Sequence, residues 1–189
     1  MNTSTGIGPD LRKLHHIVDG ESLPHTQPAV YRLSPGERIV AGVPDGDAEV
    51  FIALIDRLAG PFHLLYVLHT PRGEAEPGRY QSPRIDKPDT LSWLRRFADY
   101  LRADSRFDLW AHSPDENGTL VWDRHDRLFA YGPLDGFDAA LRGRGFVEGD
   151  AIIPSPHEHH YRRVCDAEAR ALLASQDWSW SPLQPEDEQ

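Results

Sequence analysis

Pro156-His157-Glu158-His159-His160 is the stretch whose residue types and spacing come nearest to a chemical device. On an extended segment His157 and His159 point to one side, and two imidazoles presented in this way are a common pair of metal ligands. A third donor would complete the set, and Asp123, His125, Asp126 and Asp166 are the candidates, with nothing in the sequence to bring any one of them near the pair. Such a centre would take a divalent metal such as zinc and use metal-bound water as a nucleophile. The bland account is a pair of solvated or stacked histidines. The motif is short, the chain carries ten histidines, and the further histidine and carboxylate spacing of larger HxH enzymes is missing.

A second constellation is Trp122-Asp123-Arg124-His125-Asp126-Arg127. Asp123 and Asp126 flank His125, and a neighbouring carboxylate fixes the tautomer of an imidazole and raises its basicity, so His125, Asp123 and Asp126 are the candidates for general-base work. The competing account is a turn whose aspartates accept from their own backbone amides while the arginines pair locally. A third constellation is Arg79, Tyr80 and Gln81, recognition side chains inside the long proline-rich connection 71–88 and candidates for ligand binding. Tyr66, Tyr80, Trp110, Trp122, Tyr131 and Tyr161 could rim a groove, with Trp110 and His112 on the strand face opposite Leu109 and Ala111. The lone Cys165 has no motif around it and reads as a small buried hydrophobe. Gly6-Ile7-Gly8 and Gly143-Arg144-Gly145 lack the rest of a nucleotide-binding fingerprint.

These groups need a sheet to position them. Asp115-Glu116-Asn117-Gly118 separates FDLWAH from TLVW, and Asn-Gly between two β-favouring runs predicts a hairpin. Arg124 to Arg127 predicts a tighter reversal before LFAYG, and residues 62–70 a largely apolar strand covered on both faces. Residues 30–43 read as a peripheral hairpin about Ser34-Pro35-Gly36-Glu37. Helices are expected after Asp45 or Asp47, after Asp89, over 135–142 and after Asp166, with an edge strand over 146–153. From 62 to 153 this reads strand, helix, strand, one further strand or two according to whether the chain reverses at 124–127, helix, strand. The fold expectation is therefore α+β: a single domain with a mainly antiparallel sheet of about 4–6 strands, in the ferredoxin-like order βαββαβ, with extra N- and C-terminal helices. Residues 1–29 form an arm or short helix, 30–183 the domain, and 184–189 a loose acidic tail.

Composition sets the class. With 39% hydrophobic and 26% charged residues in 189, one core is affordable, and 16 prolines predict short elements. Thirty acidic against 20 basic residues, a formal charge of −10, argue against nucleic acid as a partner. No window is apolar enough to span a membrane, and the single cysteine and the polar start point to a cytoplasmic protein. The leading expectation is a soluble, acidic, non-catalytic binding module without a cofactor. It would recognise a protein partner, a basic one by charge, in the manner of regulatory or toxin-neutralising proteins. The alternative is the small metal-dependent enzyme built on His157 and His159. The oligomeric state is left open by the sequence.

Overall fold

A computed structural model describes residues 7–34 and 37–187. Expectations that rest on residues 1–6, on Pro35 and Gly36 of the turn at 34–37, or on the last two residues of the tail lie outside them.

The described strands form two sheets. Strands β1 (Leu14–Val18), β2 (Glu21–Pro24) and β11 (His157–His159) make a small antiparallel sheet in the order β11-β1-β2. The rest make one nine-stranded sheet: β3 (Val30–Ser34), β4 (Arg38–Gly42), β5 (His63–Leu68), β6 (Gly78–Gln81), β7 (Phe107–Ser113), β8 (Gly118–Trp122), β9 (Arg127–Tyr131), β10 (Val147–Glu148) and β12 (Ser179–Ser181). Their order is β10-β3-β4-β9-β8-β7-β5-β6-β12, antiparallel except for the β10–β3 pair.

The sheet overturns the ferredoxin-like core of about 4–6 strands that the element order suggested. The β3–β4 hairpin does not stand aside as a peripheral feature, because β4 inserts its backbone between β3 and β9. At the other end β6 arises inside the connection 71–88, and β12, beyond the last expected helix, pairs with it. An edge strand offers a row of free N–H and C=O groups that any short segment can satisfy, whatever its hydropathy. Apolar periodicity therefore left β6 and β12 invisible. Residues 14–18 are a strand rather than part of a short helix, since β2 and β11 flank them on both sides. Of the expected edge strand over 146–153 only Val147 and Glu148 pair, and they do so in parallel with β3.

Five helices are described: α1 (Ala48–Ile55), α2 (Lys87–Arg96), α3 (Ala98–Ala103), α4 (Leu134–Gly143) and α5 (Asp166–Leu173). Asp47 caps α1 by accepting from Glu49 N at 2.9 Å. The helix expected after Asp89 begins three residues earlier, behind Asp86, and is divided at Phe97 into α2 and α3. Helix α1 packs on β8 and α4 on β4 and β9, while α2 and α3 lean on α1. Period-two alternation explains which face they cover. Phe107, Leu109 and Ala111 of β7, Leu120 and Trp122 of β8, and Leu128 and Ala130 of β9 are buried under them. Their neighbours Trp110, Val121 and Phe129 are register partners on the opposite, half-buried face. Among the described residues no helix is long and apolar enough to cross a membrane.

Candidate metal centre and adjoining cleft

His157 and His159 stand two apart on β11 and so share a face. The third histidine arrives from the β8–β9 turn. One ring nitrogen from each of His125, His157 and His159 lies within 4.8 Å of the others. The ring centroids are 4.8 Å (His125–His159), 5.1 Å (His157–His159) and 5.4 Å (His125–His157) apart. Around a tetrahedral zinc with bonds of about 2.0–2.1 Å, nitrogens are about 3.3 Å from one another. The three nitrogens would draw together by up to about 1.5 Å to share one ion.

The turn that carries His125 is fixed by its own side chains. Asp123 Oδ1 accepts from the backbone N–H of His125 (2.9 Å) and of Arg127 (2.8 Å), which tightens the loop as an Asx turn does. Asp126 adopts φ 57°, in the left-handed region that aspartate tolerates. Its Oδ1 accepts from Trp122 Nε1 (3.0 Å) and pairs with Lys13 Nζ (2.8 Å). Lys13 also donates to Asp123 O (3.0 Å) and lies over the Trp122 ring at 4.6 Å. Asp108 Oδ1 accepts from Arg124 N at 2.8 Å and so ties the turn to β7.

The same contacts set the tautomers. A carbonyl only accepts, so His157 Nδ1 donates to Pro154 O at 2.9 Å and its Nε2 keeps a free lone pair. His125 Nδ1 faces Asp123 Oδ2 at 3.3 Å. Burial opposes the charge on Asp123, but the hydrogen bond from His125 and the nearby Arg127 hold its pKa below the usual carboxylate range. Asp123 is therefore the acceptor and His125 Nδ1 the donor, which turns Nε2 of His125 away from Asp123 as the nitrogen available to a metal. His159 Nδ1 is buried with no hydrogen-bond partner among the described residues. Burial, reinforced by the neighbouring His125 and His157, lowers the pKa of His159 to about 3, so its ring is neutral at physiological pH. Three converging imidazoles, two of them oriented by a carboxylate and a backbone carbonyl, have the outer-shell pattern of a metal-binding site.

The wall formed by Asp123 and His125 continues into a cleft of about 310 Å³ on the helix-free face of the large sheet. Its lining includes Trp110, Val121, Phe129 and Tyr131. Arg38 lies 5.6 Å and Arg127 5.1 Å from the centre of the Phe129 ring.

The other sequence candidates fall elsewhere. Asp126 is engaged with Lys13, and Asp166 pairs with Arg72 and Arg106. Arg79 lies over Trp110 and pairs at 2.8 Å with Asp187, a cleft residue in the 3₁₀ turn Pro185–Asp187 of the tail. Tyr80 donates to Glu76 O, and Gln81 is exposed; neither lines the cleft. Burial pushes the Cys165 thiol up to about 12, which leaves it unreactive. Sequence reasoning missed Arg38, Phe129 and the Pro154 carbonyl. The alternation Arg127-Phe129-Tyr131 carried a signal for the open face, whereas nothing local marks a carbonyl that orients a histidine. No protein-family model, characterised protein or solved structure matches this chain, so its function is argued from these residues alone.

Proposed function

We propose that the protein is a small metal-dependent enzyme that holds one divalent ion, zinc by its donor set, through His125, His157 and His159. The observation that carries this reading is the convergence of three ring nitrogens within 4.8 Å, from segments more than thirty residues apart. A His₃ centre leaves a fourth position for water, whose pKa zinc brings near neutrality, and this suits metal-assisted hydrolysis. Asp123 and Pro154 O keep two of the ligand rings in the competent tautomer, and the cleft beside His125 offers a reacting molecule its place.

Zinc titration of chelator-treated protein tests the reading. One equivalent should bind and raise the melting temperature, and His125→Ala, His157→Ala and His159→Ala should each abolish the effect. Clearly substoichiometric zinc with an unchanged melting temperature rejects it. Recognition of a protein partner is the second reading, supported by the exposure of Val147 (62%) and Ile152 (70%) at the β10 edge. A pull-down at low and high salt that recovers no protein counts against that reading.

A further inference from the structure

We propose that the cleft on the open face of the large sheet binds a small flat ring carrying one anionic group, a carboxylate or a phosphate. The site shares only the Asp123–His125 wall with the metal centre, and its binding does not require the ion.

The floor supplies the ring recognition. Trp110, Val121, Phe129 and Tyr131 come from three adjacent strands, and Trp110–Val121, Val121–Phe129 and Thr119–Tyr131 are register partners. Their side chains are half-buried rather than sealed under helices. A cleft of about 310 Å³ suits a fused ring with a substituent and is too small for a folded partner.

The arginines supply the charge. Arg127 is already paired with Asp123 at 2.9 Å, and Arg79 with Asp187 at 2.8 Å. Arg38 has no carboxylate partner among the described residues, only the Tyr131 hydroxyl at 3.4 Å. The cleft acids are largely engaged as well. Asp108 accepts from His69 (2.9 Å) and Arg124 N (2.8 Å), and Asp187 accepts from Gln184 N (2.7 Å) besides Arg79. Glu186 alone is exposed. Arg38 is thus a guanidinium over an aromatic surface whose Nε and Nη2 have no partner among the described residues, the geometry in which arginine binds carboxylate and phosphate well. The seated Asp187 carboxylate is an internal example of the same chemistry at the neighbouring Arg79.

Calorimetric titration of chelator-treated protein with naphthalene-2-carboxylate, its neutral amide, AMP and adenosine tests the assignment. At least one anionic probe should bind with a dissociation constant of about 1 mM or tighter and beat its neutral counterpart by about tenfold, the margin expected of one charge-assisted contact. Arg38→Gln should erase that margin, and Phe129→Ala should weaken charged and neutral probes together. Which anion binds more tightly identifies the group as carboxylate or phosphate. No binding of either anion at millimolar concentration, equal binding of the neutral probes, or a margin that survives Arg38→Gln overturns the proposal. Zinc stoichiometry should be unaffected by Arg38→Gln, so the two readings can fail separately.

Discussion

Asp123 connects local chain geometry to the candidate metal centre. One of its oxygens accepts two backbone amides of the turn, and the other faces His125 and Arg127. Asparagine retains an acceptor for the amides but loses the charge that orients the imidazole. Asp123→Asn should therefore keep the fold and lower zinc affinity by roughly 10- to 100-fold, the usual cost of losing such an outer partner. Competition with a chromophoric chelator measures it. Equal affinity in the variant would mean that Asp123 serves the turn alone. His157 and His159 illustrate how far residue identity reaches: spacing two on an extended segment was enough to place them on one face. Choosing His125 over Asp166 as their companion needed coordinates, because the two differ in no local feature that bears on distance.

At the scale of elements, the Asp123–Asp126 turn is held by a residue of the N-terminal segment. Lys13 is 1% exposed and Asp126 2%, and the ion pair between them also carries the Trp122 indole. Lys13→Met leaves Asp126 buried without its counter-charge, a change that usually costs about 3–5 kcal/mol. Burial already raises the pKa of Asp126 against the pull of Lys13. In the variant the carboxyl can escape by taking a proton, so the loss should be larger at pH 8 than at pH 5. Urea unfolding at both values checks the magnitude and its trend; a pH-independent loss would show that packing, not charge, dominates. The elements themselves were unevenly legible. The hairpin at Asn117-Gly118 and the helix behind Asp47 carry their instructions in adjacent residues, a left-handed turn and a side-chain cap. Strands β6 and β12 carry none, since each exists by pairing with a distant edge.

For the whole molecule, the histidines predict sensitivity to acid. His15, His25, His159 and His160 all have lowered pKa values, in each case chiefly through burial. A folded-state value below the ordinary 6.5 means that the unfolded chain takes up protons first as the pH falls past 6.5. Stability of metal-free protein should therefore drop from pH 7.5 to 5, by roughly 1–3 kcal/mol once solvent screening of the partly exposed rings is allowed for. Asp123 and Asp166, held below 3.8, add a second loss only in stronger acid. Denaturation midpoints across this range decide it, and a flat profile between pH 7.5 and 5 would contradict the buried neutral state of these rings. Bound zinc should deepen the loss toward pH 5, because protons compete for the ligand nitrogens.

The sequence alone determined where strands and helices arise along the middle of the chain, because alternation, caps and turn residues act between near neighbours. It also determined that His157 and His159 would share a side. The tertiary structure decided how many strands join one sheet, which histidine lies beside that pair, and that Arg38, over Phe129, meets no carboxylate among the described residues. Those outcomes depend on pairing and packing between segments tens of residues apart, and no local periodicity encodes which backbone edge or side chain will be met across such a distance.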